Sequence, residues 1–377
     1  MSSLTLVFDP SSSLSKGLYS LSDGQMQVMT MEPDLVKVSK SSLEQLEQGS
    51  VGISFPENEA IVGYGNGYYA VGFVARSQFY SYDHLKQLKY EKAVPKVLGM
   101  VGAIAQRKRL RSKFGLKLGI LLPYCEYQDR LKLKTVLKEA LSQFSFRHQS
   151  YQVELEFFEC LPEGSGVLLR GGNRQNHSAS KSLLVVMIGY RNVSYLLMER
   201  GKLTRGETED LGFVWLINKV KEATSGLKAT ELIVPIIQGG RNVNKTPFKS
   251  LLKSQSDSLR KEELTEIVKA VQMAREQYKE ILLNWLVSRQ FPSVDEVILS
   301  GGTANYYRKE LENFFSEQSY HWADSLENKV KKLVEPHQYD NQFRYRLTDI
   351  YGYYFYLQYL LRKHQSLSGG KLTKCEA

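Results

Sequence analysis

Leu4-Thr5-Leu6-Val7-Phe8-Asp9-Pro10-Ser11-Ser12-Ser13-Leu14-Ser15-Lys16-Gly17 is the stretch whose reading decides the fold. Leu4 to Phe8 is a short apolar run of the kind a strand shows when both faces are buried. Asp9 to Ser13 supplies turn residues, Lys16 to Leu21 leads into a second strand, and Asp23-Gly24 makes a further turn. Far along the chain the same order returns. Leu183 to Met187 reads as a buried strand, Ile188-Gly189-Tyr190-Arg191-Asn192 as a turn, and Val193 to Leu197 as a strand that ends at Arg200-Gly201. Segments 4–24 and 183–201 therefore echo each other, with Asp9-Pro10-Ser11 over Met187-Ile188-Gly189. Chance likeness of two β-hairpins is one explanation. The other is duplication into two lobes whose opening bends face a cleft lined by backbone N–H groups, a surface that binds phosphate.

Composition bounds what can be built around these strands. At 377 residues the chain is long enough for two or three domains. With 42% apolar and 24% charged residues it is an ordinary globular chain. The three cysteines, Cys125, Cys160 and Cys375, are too scattered for a disulfide scaffold or a zinc ribbon. No apolar run reaches the ~18–20 residues of a membrane span, and the opening Met1-Ser2-Ser3 lacks the basic start of a signal peptide. A soluble, cytoplasmic protein is expected. The net charge of +10 suits an acidic partner. Part of it lies in Arg107-Lys108-Arg109-Leu110-Arg111-Ser112-Lys113, either a helix end favoured by the dipole or a docking patch.

Between the two echoing segments, Ala60-Ile61-Val62 and Tyr68 to Val71 flank Asn66-Gly67, a strong hairpin signal. Gly63, Gly65 and Gly67 precede no helix, so they are not a dinucleotide fingerprint. Pro95 suits a helix start, with Val94, Val97, Leu98, Val101, Ile104 and Ala105 at helical spacing. Leu118 to Leu122 reads as a strand. A helix carries Val136, Leu137, Ala140, Leu141 and Phe144, and an alternating strand runs from Tyr151 to Cys160. Gly171 to Asn176 reads as the loop between lobes. Leu211 to Val220 is expected as a buried helix, and a long helix runs from Leu264 to Trp285. Val297-Ile298-Leu299 runs into Ser300-Gly301-Gly302-Thr303 and a helix through Leu311, Phe314 and Phe315. Tyr351 to Leu361 is a core helix, and 366–377 a flexible tail.

Three places in this order carry chemistry. Asp9 is placed to hold Mg²⁺ through water, since that cation usually keeps its hydration shell and takes one or two carboxylates plus phosphate oxygens. Lys16 supplies a cation beside the first turn. Gly301-Gly302, after a strand and before a helix, lets a flat ligand approach the backbone closely. A P-loop is excluded, because Gly369-Gly370-Lys371-Leu372 has no strand before it. The bland alternatives are an aspartate in a plain turn, a solvated lysine and a simple tight turn.

Taken together, the chain resembles the actin superfamily, specifically the bacterial plasmid-segregation actins of the ParM/StbA type, over roughly residues 4–363. The first phosphate loop resembles Asp9 to Gly17, and Met187-Ile188-Gly189-Tyr190-Arg191 is similar to the second. Ile298 to Ala304 resembles the adenosine motif. Leu121-Leu122-Pro123 with Glu126-Tyr127 and Asp129-Arg130 looks like the segment ahead of the connecting helix. Ala274 to Tyr278 with Asn284-Trp285-Leu286, and Arg346 to Gly352, look like family helices.

The resemblance implies an α/β fold of duplicated ribonuclease H-like lobes around a nucleotide cleft. Lobe I would cover 1–170, with a smaller insertion at about 30–90, and lobe II would cover 171–340. A C-terminal helix over 341–365 would return to lobe I. It implies ATP or GTP with Mg²⁺, held by Asp9, Ser11, Ser12, Ser13, Lys16, Gly189, Tyr190, Arg191, Gly301, Gly302 and Thr303. Glu163 would orient the attacking water, against a plain helix-start glutamate. Arg191 faces either the phosphates or a filament neighbour. The implied function is a cytoskeletal filament built from copies of the chain, in plasmid segregation or as a cell-organising scaffold. A small adaptor of the ParR type would connect it to DNA or membrane only indirectly.

Two departures matter. Ser11 stands where the family's first loop usually has glycine, and Met187 where its second loop usually has aspartate. A thioether does not replace a carboxylate toward a hard cation, so hydrolysis should suffer more than binding. Three other readings stay open: a small-molecule kinase on the same fold, a direct nucleic-acid binder, and a nucleotide-binding scaffold without turnover.

Overall fold

The apolar run at the start forms the middle of strand β1 (Ser3–Pro10) in the computed structural model, which describes residues 3–22, 24–49, 54–81, 88–169, 180–334 and 343–369. Leu4, Leu6 and Phe8 point into a core shared with the helix Lys89–Arg107. Val7 points the other way, into a core built with the helices Asp324–Leu333 and Phe343–Gly369. Cover on both faces is why the strand reads as unbroken apolar sequence and not as an alternation.

The chain divides into two compact units, 1–176 with 323–377, and 177–322. In the first, β1 pairs antiparallel with β2 (Ser15–Ser20), and β2 pairs antiparallel with β3 (Gln27–Met31). The insertion adds β4 (Leu35–Val38), β5 (Ala60–Tyr64) and β6 (Gly67–Val71). The long strand β7 (Lys113–Leu122) lies parallel to β1, and β9 (Gln149–Pro162) lies parallel to β7. With β8 (Phe144–Phe146), the full order is β3-β2-β1-β7-β9-β8-β5-β6-β4.

The second unit contains β10 (Ser182–Ile188), β11 (Val193–Glu199), β12 (Lys202–Glu209), β13 (Glu296–Ser300) and β14 (Tyr320–Trp322). Their order is β12-β11-β10-β13-β14, with β10, β13 and β14 parallel and the other pairings antiparallel. That is the order and the set of directions of β3-β2-β1-β7-β9. The echo seen in the sequence is therefore a repeated sheet and not two chance hairpins. Leu184, Val186 and Ile188 face a core built with the helices Phe213–Glu222 and Asp257–Ser288.

Several expectations are corrected. Pro95 lies inside the helix that starts at Lys89. Its ring removes one backbone donor, yet burial of nearly the whole helix outweighs that loss. The hairpin bend is Gly65-Asn66 and not Asn66-Gly67, since Tyr64 pairs with Gly67 and Gly65 takes the positive φ of 54°. Phe144 belongs to β8, and Val136 is exposed. The second unit ends at Trp322 and not at 340, because the helix Asp324–Leu333 packs on the C-terminal helix of the first. That C-terminal helix continues through Gly369, into the expected tail. The loop expected at 171–176, Asp23 and the last residues of the tail lie outside the described residues.

The basic run closes the helix Lys89–Arg107. Arg107 pairs with Glu57 at 2.9 Å and lies 5.2 Å over the Phe55 ring, and Lys108 is the capping residue.

Candidate functional site

Both duplicated hairpins end alike. Pro10 pairs with Ser15 across a four-residue loop, 11–14, and Ile188 pairs with Val193 across another, 189–192. The register places Met187 where the first hairpin has Asp9, and Gly189 where it has Ser11. Asp9 faces Lys16 across its ladder, and Met187 faces Ser194 across the other.

In the first unit the loop borders a buried ionic cluster at the carboxyl ends of the parallel strands, where open α/β sheets bind ligands. Asp9 ends β1, and Glu163 follows β9, its N–H bonded to the Leu122 carbonyl at 2.8 Å. The strands β1 and β9 lie on either side of β7, so these carboxylates come from strands ~10 Å apart. Lys89 closes the gap. Its Nζ donates to Asp9 Oδ1 at 2.5 Å and also to Glu163 Oε1. Lys16 Nζ takes the other oxygen, Asp9 Oδ2, at 2.6 Å. Burial would raise the Asp9 carboxyl, but the two ammonium groups outweigh it and hold the pKa far below the usual carboxylate range. Burial likewise works against a charged Lys89, and the Asp9 and Glu163 carboxylates overcome it and push its pKa up.

A third acid, Asp349, is only 3% exposed. Its oxygens accept from the N–H groups of Gly164 at 2.7 Å, Gly166 at 2.8 Å and Val167 at 3.2 Å. Burial outweighs these bonds, and with repulsion from Asp9 and Glu163 it pushes the carboxyl up to about 7. The approach requires glycine: a Cβ on Gly166 would sit 1.9 Å from the Asp349 carbonyl oxygen, and one on Gly352 2.0 Å from that of Gly166. Arg346, one turn earlier, donates to Ser13 Oγ at 2.7 Å. Lys16, Lys89 and Arg346 thus stand against Asp9, Glu163 and an Asp349 that burial keeps only partly ionised near neutral pH. The surplus is positive, which suits a polyphosphate.

The second unit builds a tight loop with no such cluster among its described residues. The N–H groups opening the helix Phe213–Glu222 bond back to loop carbonyls: Gly212 to Arg191 at 2.8 Å, Phe213 to Gly189 at 3.2 Å and Val214 to Tyr190 at 2.9 Å. Gly301 has φ +107°, and a Cβ there would sit 2.3 Å from the Ile188 carbonyl oxygen. Thr303 Oγ1 donates to the Gly189 carbonyl at 2.7 Å. Gly189, Tyr190, Gly301, Gly302 and Thr303 are thereby gathered at one end of this sheet. Arg191 is turned aside, its Nε on Asp210 Oδ1 at 3.1 Å, beside Asn192 Nδ2 on the same oxygen at 2.9 Å.

Of the first-unit residues named from sequence, Asp9, Lys16, Ser13 and Glu163 meet in one cluster, and Ser11 and Ser12 lie in its loop. Lys89, Arg346 and Asp349 were not named as site residues. For Lys89 a signal existed. Lys89, Lys92 and Lys96 fall at i, i+3 and i+7 among apolar positions, and all three are buried.

The donors fit Mg²⁺ poorly. Both Asp9 oxygens and one Glu163 oxygen already accept from ammonium groups.

A sheet of this order and these directions, present twice, defines the actin-like two-lobe fold. Among solved structures the chain is similar to the actin-like protein Alp7A, at a TM-score of 0.66 and 13% identity over 98% of this chain and 100% of that one. It is also similar to Bacillus thuringiensis ParM with ATP, at 0.56 and 13% over 96% and 99%. The Alp12 filament structure matches at 0.55 and 15% over 93% and 97%. The chain thus has the fold of the bacterial ParM-type actin-like proteins. No family model and no curated protein matches its sequence.

Proposed function

We propose that this chain is a nucleotide-binding, actin-like protein that polymerises into filaments of its own copies. The observation that carries the reading is the duplicated sheet whose first copy ends in a buried, net-cationic cluster around Asp9. Positive charge behind a hairpin loop at strand carboxyl ends is what a nucleoside triphosphate needs. The fold shared with a structure named as an Alp12 filament, and with a ParM described with ATP, supports the same reading.

The phosphates of ATP or GTP engage Ser11, Ser12, Ser13 and Lys16 in the first unit. Gly189, Tyr190, Gly301, Gly302 and Thr303 are the proposed nucleotide contacts of the second, and Arg191 joins them only on leaving Asp210. Nucleotide state biases two conformations that differ in subunit contacts, and head-to-tail association that does not close into a ring gives a filament. A cytoplasmic filament linked to DNA through a small ParR-like adaptor completes the proposal. No helix among the described residues is long and apolar enough to cross a membrane.

Sedimentation and electron microscopy with ATP, ADP, GTP and a non-hydrolysable analogue test it. Monomers throughout, across protein concentration and salt, would sink it. A second reading, a scaffold that binds nucleotide without turnover, is favoured by the Lys89 ion pair on Glu163 and by Met187. Phosphate release measured alongside assembly separates the two.

A further inference from the structure

We infer that Lys89 takes the part of a divalent cation in this chain, so that the nucleoside triphosphate is held by ammonium groups and binds without Mg²⁺. The inference rests on the nucleotide reading above and concerns the counter-ion within it.

Three observations converge. First, three of the four carboxylate oxygens of Asp9 and Glu163 already face an ammonium group. A hydrated divalent ion is held by donating its water protons to carboxylate oxygens, and Asp9 Oδ1 accepts from Lys89 at 2.5 Å while Oδ2 accepts from Lys16 at 2.6 Å. Lys89 also engages Glu163, so one ammonium bridges the two carboxylates as a metal would. Second, the lysines are not surface groups free to swing aside. Lys16 and Lys89 are each 5% exposed, and breaking a buried pair leaves an uncompensated charge. Third, the second hairpin carries Met187 at the register position of Asp9, and a thioether is a poor partner for Mg²⁺. Among the described residues no group of three or more His, Cys, Asp or Glu side chains is placed to hold a metal. With Arg346 added, the cluster has its own positive surplus for phosphate oxygens, which strengthens such charge-assisted bonds in a buried setting.

Removing Lys89 should reverse this. With Lys89→Ala, Asp9 and Glu163 lose their bridge, and two carboxylates that shared one ammonium are left to share a hydrated cation.

The test is calorimetric titration of the full chain with ATP, in EDTA and in excess Mg²⁺. For the wild type, binding should be at least about tenfold tighter in EDTA than in excess Mg²⁺, because the metal must leave ATP first, and for Lys89→Ala binding in EDTA should fall by at least about tenfold and recover with Mg²⁺. A wild type that binds as tightly or more tightly in excess Mg²⁺ overturns the inference while leaving nucleotide binding intact. Equal weakening of Lys89→Ala in both buffers also overturns it, since that marks a purely structural lysine. No binding of ATP, ADP or GTP in either buffer sinks the nucleotide reading itself. A second measurement needs no variant. Wild-type protein added to Mn²⁺–ATP should strip the nucleotide and raise the six-line resonance of free aqueous Mn²⁺. A falling signal would show the metal entering with the nucleotide and refute the inference.

Discussion

Gly301→Ala is the sharpest probe of the second-unit turn. Gly301 has φ 107° and ψ 154°, a region of backbone space that is essentially glycine-only and costs a side-chain-bearing residue about 1–3 kcal/mol. The added methyl would also meet three atoms of Ile188, the carbonyl oxygen at 2.3 Å, the carbonyl carbon at 2.9 Å and the nitrogen at 3.0 Å. All are backbone atoms of β10, so no side chain can swing clear, and the turn must retreat by about 1 Å. Overpacking of this kind costs about 1–3 kcal/mol. The retreat also stretches the 2.7 Å bond from Thr303 to the Gly189 carbonyl, which contributes about 1 kcal/mol. The expected destabilisation is therefore about 3–7 kcal/mol, read by urea denaturation of the second unit's tryptophans, Trp215, Trp285 and Trp322. Gly302→Ala is the control. Gly302 is exposed and is the first residue of a helix, so alanine there should be neutral or slightly stabilising. If Gly301→Ala falls within about 0.5 kcal/mol of the wild type, the close packing of the turn on β10 is refuted.

Further outcomes are expected from the same geometry. Gly166→Ala drives a methyl into the backbone of the C-terminal helix, so that helix should lose hydrogen-exchange protection and stability should fall by about 3 kcal/mol. A carboxyl whose folded pKa is raised binds its extra proton in the folded state. The contribution of Asp349 is therefore fully present below its ordinary 3.8 and fades as pH rises to about 7, a loss of up to about 4 kcal/mol that Asp349→Asn should flatten in urea midpoints taken across that range. Asp9 acts with the opposite sign: its folded pKa is depressed, so its contribution holds above 3.8 and is lost only at lower pH. Arg275→Ala removes a 2%-exposed guanidinium that pairs with Glu310 at 3.0 Å and stacks over Tyr307 at 4.6 Å. Arg241 keeps a contact with Glu310, so about 3 kcal/mol is expected by denaturant titration.

The parts of the fold legible in sequence were those where burial writes itself into local pattern. Leu4–Phe8 and Leu183–Met187 are unbroken because their strands are covered on both sides, and the turns after them announce themselves by residue type. The short strands β3, β4 and β8 carried no comparable period, and they take their form from partners far along the chain. The site divides the same way. Asp9, Lys16 and the 187–191 loop sit in or beside turns that can be read locally. Lys89 gains its role only where three distant segments meet, 80 residues from Asp9 and 74 from Glu163. Arg275 looked like one charge among many on a long helix, yet its place among Tyr306, Tyr307 and Glu310 makes it a core residue.

Asp349 reaches back across 185 residues to the N–H of Gly164. A ribosome releasing this chain from its amino end therefore delivers the second unit whole, from 177 to 322, before the first can be finished. Until the helix Phe343–Gly369 emerges, the amides of the turn after β9 lack the Asp349 carboxyl as acceptor, and Arg346 is not yet there to hold Ser13. The loop proposed to grip phosphate is thus secured by a helix made only after the whole second unit, and a product stopped before that helix would lack that hold.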